Sequence, residues 1–345
     1  MKTRNIHLDH IKAMLMLMVV LGHNVEIGLL LPHGYGKVFY MATYVYHMPV
    51  FIFLQGYFSK DVFRDSRFHA CAKKVLFFFW VYCIAKLSYY GGFLLVDGAL
   101  PLWTGDSFWN EASIPWYMLS SIAFFILCAF FCRLKPATGM TVALLVGIFC
   151  RVISQIGTYL SLSRTLVFFP FFLMGYYLRE GYLEKLGEKK TALLVGIGIC
   201  GLCVLYLMSY YLLFIRPDWY GKIITILYSN SSFKGMGISA KYGIFLSIVQ
   251  YIAAVISGTA FFLAVPIIST NHSIGKLVSI IGKNTLPIYV FHYPVLLFLW
   301  RGLWDSNVSL VSLVVVPCLL IFVLSGKFFS IPFHGMKKAI QWILK

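Results

Sequence analysis

The chain has 345 residues, of which 60% are hydrophobic and only 12% are charged, and its mean hydropathy is +0.82. This composition leaves too little polar surface to cover a soluble globule of that size, so it predicts an integral membrane protein. The formal net charge of +17 does not point to nucleic acid, because the basic residues form short clusters between apolar runs and do not line one soluble face.

Apolar stretches of membrane-spanning length recur along the whole sequence. They predict an all-α fold, a polytopic membrane bundle of about ten helices, because strands of a membrane barrel are only about 10 residues long. The predicted spans are 11–31, 40–58, 72–97, 116–132, 138–157, 164–178, 191–215, 243–268, 284–300 and 309–332. No cleavable signal, long linker or appended soluble domain is expected, so residues 1–345 are predicted to form a single integral-membrane domain.

The basic residues between the spans predict the topology. With the N-terminus in the cytoplasm, most of the 29 Lys and Arg residues fall in inner segments, and an even number of spans returns the C-terminus to that side. We therefore expect a multi-pass protein of the plasma membrane with both termini in the cytoplasm. The eight cysteines lie in or beside apolar segments, so neither disulfides nor a metal site is expected.

The first predicted span carries two ionisable side chains on one face. Lys12 precedes His23 by eleven residues, which is three helical turns plus about 20°, so the side chains lie about 16 Å apart along the axis. Lys12 would lie at a membrane edge and His23 near the middle. An ionisable group at that depth is costly in hydrocarbon and usually faces a bundle interior or a wet cavity, which makes it a candidate functional residue.

Two other histidines are predicted at the depth of His23. His47 and His292 also fall in the middle third of a hydrocarbon layer about 30 Å thick, so the three rings could line one cavity. A single buried histidine is more often a structural hydrogen-bonding group. Glu26, three residues after His23, lies on nearly the same face, where it would either orient the imidazole as a general base or be solvated at the outer interface.

Two kinds of loop suggest binding surfaces. The inner segment 59–74 is the most basic, and its arginines and lysines would either hold a phosphorylated cofactor or only set the topology. The outer segments 98–115 and 216–242 place tryptophan and tyrosine beside carboxylates. Such aromatic residues suit interfacial anchors, and they also suit a sugar-binding surface.

Five motifs occur in a fixed order along the chain. They are LDHIKAMLMLMVVLGH (8–23), YHMPVFIFLQGYF (46–58), PWYMLSSIAFF around Trp116, FFPFFLMGYYLR around Pro170 and Gly175, and IGKNTLPIYVFH, which contains Tyr289 and His292. Together they resemble the acyltransferase family 3 membrane proteins, and within them the fucose 4-O-acetylase-like group. The chain departs from the family pattern at Lys12, where arginine is commoner, and at Gln55, where the family has serine before glycine.

The resemblance implies an O-acetyltransferase that moves an acetyl group from cytoplasmic acetyl-CoA to a hydroxyl of a cell-surface glycan or a lipid-linked saccharide. His23 would be the general base or a transient acyl carrier, and Glu26 would orient it. The CoA phosphates are assigned to Lys12, Arg64, Arg67 and Arg179. His47 and His292 would bind the substrate or stabilise the oxyanion, and Tyr289 and Trp116 would bind the substrate. Some relatives carry an extracytoplasmic hydrolase-like domain after the last span, so the resemblance leaves two alternatives: the chain completes the transfer itself, or it hands the acyl group to a separate extracytoplasmic transferase.

Two other classes of protein fit the same residues. A proton-coupled transporter or a lipid-linked sugar flippase also needs midplane histidines and basic edges, but the sequence contains no internal hydropathy repeat. A non-catalytic membrane scaffold would make His23 dispensable. Cleavage of an acyl thioester would separate the enzyme from both alternatives.

Overall fold

A computed structural model gives the fold and describes residues 5–28, 34–64, 68–100, 108–266, 272–303 and 310–344. Within these ranges the regular structure is helical, apart from one isolated antiparallel bridge between Asn110 and Tyr159. The predicted all-α class is confirmed for this part of the chain.

Fifteen helices follow one another along the described residues. They are α1 (Ile6–Gly28), α2 (Gly34–Tyr57), α3 (Lys60–Phe63), α4 (Phe68–Asp97), α5 (Trp116–Phe131), α6 (Pro136–Phe149), α7 (Leu162–Tyr177), α8 (Tyr182–Glu188), α9 (Ala192–Phe214), α10 (Pro217–Tyr228), α11 (Ala240–Ala264), α12 (Ser273–Lys283), α13 (Thr285–Leu297), α14 (Leu310–Leu324) and α15 (Lys327–Ile343). A π-helical turn, Phe298–Leu303, prolongs α13.

Each of the ten predicted spans contains a helix, but the helices differ in length. Among the described residues, α1, α2, α9 and α11 are long and apolar enough to cross a membrane, and α14 with α15 would make a fifth if that bent pair is one span. Helices α5 and α6 are apolar but shorter. The structure therefore supports a helical membrane protein, while the count of ten spans and the side of the termini stay predictions.

The tenth predicted span, 309–332, is interrupted. Helix α14 ends at Leu324, α15 begins at Lys327, and the two helices are bent by 47°. The carbonyl of Ser325 at the break accepts a hydrogen bond of 2.9 Å from the Asn284 side chain, and a glycine follows it. Glycine is a poor helix former, and a carbonyl bound elsewhere leaves the helical hydrogen-bond ladder, so the helix stops here.

The chain divides into two compact units, each assembled from separate segments. The first unit is Met1–Met48, Arg179–Tyr220 and Ala253–Ile331, and the second is Pro49–Leu178, Gly221–Ile252 and Pro332–Lys345. In the first unit α1 contacts α8, α12, α13 and α14. Because other helices surround it, α1 presents most of its surface to protein and not to lipid.

In the second unit, helices α2 and α7 approach each other at two glycines. A Cβ atom built at Gly56 would lie 1.9 Å from the carbonyl oxygen of Phe172, and one built at Gly175 would lie 1.9 Å from that of Phe53. Such distances are impossible for a real side chain, so only glycine allows the two backbones to come this close. Both glycines belong to the motifs that carry the family resemblance.

Replacing Gly56 with alanine should destabilise the protein by about 1–3 kcal/mol or more, because the added methyl group forces two backbones apart. Thermal unfolding of the detergent-purified protein measures this as a lowered midpoint. Gly91 in α4 offers the matched control, since a Cβ there meets nothing within 4 Å. Equal midpoints for Gly56→Ala and Gly91→Ala would contradict this explanation.

Two basic residues that fall within predicted spans, Lys86 and Arg151, are both buried in the second unit. The ammonium of Lys86 lies 2.8 Å from Glu111 Oε2 and 2.9 Å from the carbonyl of Asn110. The guanidinium of Arg151 donates to the side chains of Ser247 (2.6 Å) and Gln250 (3.1 Å). Lys86 therefore has an ionic partner on the segment before α5, whereas Arg151 is held by neutral groups of the second unit.

Candidate active site

Helices α1 and α13 bring two of the predicted histidines into contact. The ring centroids of His23 and His292 are 5.4 Å apart with an interplanar angle of 38°, and Tyr293 meets His23 edge-on at 5.7 Å. The exposed fraction of His23 is 9%, and His292 is fully buried. The imidazole of His23 therefore points into the first unit and not toward lipid.

Glu26 contacts His23 one helical turn further along α1. Its Oε2 atom lies 2.7 Å from His23 Nδ1, and its side chain is 41% exposed. A carboxylate accepts hydrogen bonds and donates none, so the proton of the neutral ring is assigned to Nδ1. This leaves Nε2 as the basic nitrogen, which is the arrangement that a general base requires.

His292 has the same tautomer as His23, for a different reason. Its Nδ1 atom lies 3.0 Å from the carbonyl oxygen of Ile288 and 2.8 Å from that of Tyr289, and carbonyls only accept. Nδ1 therefore carries the proton of the neutral ring. Its Nε2 atom is buried and has no hydrogen-bond partner among the described residues. A buried acceptor without a partner is costly, so it marks a place where a donor group of a substrate can bind.

His47 belongs to the same group of rings. It is buried, its Nδ1 atom lies 2.7 Å from the carbonyl oxygen of Thr43, and Tyr44 meets its ring edge-on at 4.9 Å. Both His47 and His292 lie within electrostatic range of His23. His23 and His292 are thus in ring contact, His47 lies near His23, and the proton of each neutral ring is assigned to Nδ1.

Asn24 is a residue of this site that the sequence analysis missed. It is fully buried, its amide donates to the carbonyl of Leu313 at 2.9 Å, and its Oδ1 accepts from Trp300 Nε1 at 2.6 Å. The π-helical turn after α13 carries Trp300, and such turns are frequent at functional sites. These two bonds fix α1 against α13 and α14 at the level of His23. The signal in the sequence was a second polar residue beside His23 in an apolar run.

The N-terminal half of α1 carries Lys12, one of the residues predicted to bind the acyl donor. The ammonium of Lys12 lies 2.8 Å from Asp9 Oδ1, a pairing that the sequence analysis did not consider. His10, beside Asp9, lies 3.3 Å from the hydroxyl of Ser279 on α12. Because an ammonium group has three hydrogens, Lys12 can keep Asp9 and still bind a phosphate oxygen.

The other predicted donor-binding residues are spread over the two units. Arg64 lies in the second unit, is exposed, and has its Nη1 atom 3.6 Å from Asp61 Oδ1. Arg179 is exposed and belongs to the first unit. Arg67 lies outside the described residues. Their binding of CoA phosphates therefore stays a prediction.

The two aromatic residues assigned to substrate have different surroundings. Tyr289 is buried in the first unit, with its ring centroid 5.9 Å from that of His292. Trp116 is buried in the second unit, where it packs on Phe168 at 5.2 Å and beneath the guanidinium of Arg164 at 5.1 Å. Tyr289 is thus next to the histidines, whereas the contacts of Trp116 are those of a packed core residue. In the described part of the chain, no group of three metal-ligating side chains could hold a metal ion.

A histidine with a carboxylate on one nitrogen and a free base on the other, enclosed by apolar helices, is typical of a membrane-embedded enzyme. The chain belongs to the acyltransferase 3 family, whose model, described as an acyltransferase domain, matches residues 5–329. The nodulation protein NolL of Sinorhizobium fredii (strain NBRC 101917 / NGR234) is 24% identical over 328 residues, which cover 89% of this chain and 83% of NolL. No solved structure matches the chain.

The family assignment confirms the predicted class of enzyme, because it makes the chain an acyltransferase. The transporter and scaffold alternatives lose their support, since the family model covers both compact units and nearly the whole chain. Three narrower points stay predictions: membership of the fucose 4-O-acetylase-like group, the acetyl donor and the glycan acceptor.

Proposed function

We propose that the protein transfers an acetyl group from cytoplasmic acetyl-CoA to a hydroxyl of a cell-surface glycan or a lipid-linked saccharide in the plasma membrane. The observation that carries this proposal is the group formed by Glu26, His23 and His292, in which a carboxylate-supported base faces a second buried acceptor nitrogen. Hydroxyl groups are the donors that two neighbouring acceptor nitrogens suit best. A saccharide offers several hydroxyls on adjacent carbons.

In the proposed reaction, Nε2 of His23 accepts the proton of the acceptor hydroxyl while the oxygen of that hydroxyl attacks the thioester carbonyl. The tetrahedral intermediate then expels CoA by cleavage of the carbon–sulfur bond, and the imidazolium returns its proton to the departing thiolate. Glu26 stabilises the imidazolium between these two proton transfers. The alternative sequence, in which Nε2 of His23 carries the acetyl group before the hydroxyl attacks, uses the same residues.

The tautomers of His47 and His292 favour one of the two roles predicted for them. A neutral ring that carries its proton on Nδ1 offers only a lone pair at Nε2, so it accepts hydrogen bonds from substrate hydroxyls. An oxyanion needs donors, which these rings supply only when they are protonated. A positive charge on His23 opposes a second one on His292, 5.4 Å away. We therefore assign both rings to binding of the acceptor sugar.

The acyl donor would enter from the inner end of α1. Lys12 holds a phosphate of acetyl-CoA in this proposal, together with basic residues of the inner surface. The rise from Lys12 to His23 is about 16 Å, which suits a pantetheine arm on the order of 15–20 Å long. The thioester would then lie beside Nε2 of His23.

Mass spectrometry of surface glycans and lipid-linked saccharides tests the proposal. Cells with the intact gene should carry glycans heavier by the mass of acetyl groups than cells without it, and a gene encoding His23→Ala should not restore the difference. Identical glycans in all three strains would contradict the proposed acceptor class. A mass difference other than acetyl would contradict the proposed donor.

Replacing Glu26 with glutamine should lower kcat about 10- to 100-fold, a loss typical of residues that orient a functional histidine. The amide oxygen still accepts from Nδ1, so the ring keeps its orientation and loses only the charge that stabilises the imidazolium. Because Glu26 is partly exposed, solvent screens that charge and limits the effect. Steady-state release of CoA measures it, with Glu188→Gln on exposed surface as the matched control. A Glu26→Gln enzyme as fast as this control would contradict the proposed stabilisation of the imidazolium by Glu26.

A further inference from the structure

Helix α15 is a 17-residue helix with three distinct faces. Its sequence, KFFSIPFHGMKKAIQWI, contains no acidic residue. Phe333 and Ile340, two helical turns apart, are the residues that it buries against the protein. At about 100° per residue, the exposed side chains divide into an apolar strip and a basic strip beside it.

The apolar strip consists of large side chains that the protein does not cover. Phe328 and Trp342 are 75% and 76% exposed, and Ile331 and Ile343 are exposed as well. These positions fall within about one third of the helix circumference at 100° per residue. A strip of this size facing water would be unfavourable, and tryptophan is enriched where a membrane meets water.

The basic strip consists of three exposed lysines, Lys327, Lys337 and Lys338. None of them makes an ion pair with any residue that the structure describes. The ammonium of Lys337 lies 5.3 Å from the centre of the Phe77 ring. It is also within electrostatic range of Lys74 on α4, which has the same charge. Two neighbouring cations without a carboxylate between them are stabilised by an external anion.

We propose that α15 lies in the plane of the bilayer surface and binds anionic lipid headgroups. Its apolar strip enters the boundary of the acyl chains, while Lys337, Lys338 and Lys74 contact headgroup phosphates. A placement of α15 across the membrane does not fit, because the adjacent Lys337 and Lys338 would lie deep in hydrocarbon, and α15 does not continue α14 but is bent from it by 47°. The occupant of this surface is therefore lipid, and not a second helix or a soluble anion.

Hydrogen–deuterium exchange of the purified full-length enzyme in nanodiscs tests this inference. Amides of residues 327–343 should exchange at least about fivefold more slowly in phosphatidylcholine mixed with phosphatidylglycerol than in phosphatidylcholine alone, since one surface lysine contributes about fivefold in affinity. The triple variant Lys327→Gln, Lys337→Gln, Lys338→Gln should lose this difference. Inorganic phosphate added to the neutral nanodisc should not reproduce it.

A matched triple variant controls for the loss of charge. This control combines Lys222→Gln, Lys234→Gln and Lys241→Gln, and it removes the same charge from exposed positions far along the chain. It should leave intact the slower exchange of residues 327–343 in the anionic bilayer. Trp342→Ser, which weakens the apolar strip, should speed exchange in both bilayers. Equal exchange in neutral and anionic bilayers would overturn the inference, and so would protection by inorganic phosphate alone or a Trp342→Ser helix that exchanges like the wild type.

Discussion

Replacing His23 with alanine should lower kcat for acyl transfer by about 10²- to 10⁴-fold, the range that positioned proton transfer contributes. In the structure this ring combines three properties of a general base: a carboxylate on Nδ1, a free Nε2, and a position inside the first unit next to His292. Both proposed reaction sequences pass through Nε2, so both fail without it. Release of CoA from acetyl-CoA in the presence of the acceptor is the measurement.

His272→Ala provides the matched control for His23→Ala, because His272 is exposed at the start of α12. The control should keep full activity, and the unfolding midpoints of both variants should stay close to that of the wild type. A folded His23→Ala enzyme with activity within tenfold of the control would contradict the assignment of the base. Incubating the wild-type enzyme with labelled acetyl-CoA and no acceptor distinguishes the two proposed reaction sequences. The enzyme becomes labelled only if His23 carries the acetyl group.

Replacing Glu111 with alanine should destabilise the protein by about 3–5 kcal/mol, the cost of leaving one partner of a buried ion pair uncompensated. Lys86 and Glu111 are 2% and 1% exposed, and Glu111 also accepts from the backbone amide of Ser113 at 3.0 Å. The segment before α5 would therefore lose its ionic bond to α4. Unfolding of the detergent-purified protein with sodium dodecyl sulfate measures the free energy.

A double-mutant cycle and the pH dependence check this explanation. Lys86→Met combined with Glu111→Leu removes both charges, so it should be markedly more stable than Glu111→Ala. Burial raises the pKa of Glu111, and Lys86 opposes that rise. In Lys86→Met the carboxyl binds its proton more tightly in the folded state than in the unfolded state. The Lys86→Met variant should therefore be less destabilised as the pH falls toward the ordinary carboxyl pKa of about 4.3, and more destabilised as the pH rises above it. A double variant as unstable as Glu111→Ala would contradict the ion-pair explanation.

Local features of the site were predictable from the sequence, because helix geometry determines them. Residues three apart on a helix are neighbours, which is why the contact between His23 and Glu26 follows once α1 is a helix. The apolar runs were long enough to reveal a helix within each predicted span. Estimating depth from the nearer end of each span also placed His47 and His292 at the level of His23, although they lie on different helices.

Features that depend on packing between distant segments were not predictable. Asn24 accepts its hydrogen bond from Trp300, 276 residues further along the chain on a π-helical turn, and the residues around Asn24 do not reveal so distant a partner. Asp9 and Lys12 are an exception, because they lie three residues apart on α1: their pairing follows from the same helix geometry as the contact between His23 and Glu26, and the sequence analysis overlooked it. The break after Leu324 depends on a bond from Asn284, about forty residues away, so hydropathy alone ran through it.

The measurement that tests the central claim most directly follows a labelled acetyl group in liposomes that contain the purified enzyme. Acetyl-CoA is supplied on one side, and the saccharide acceptor is present. We expect free CoA and acetylated acceptor to appear in equal amounts with the wild type and with His272→Ala, and neither product to accumulate at a comparable rate with His23→Ala. Passage of the saccharide across the membrane without cleavage of the thioester, or equal product from the His23→Ala enzyme, would contradict it.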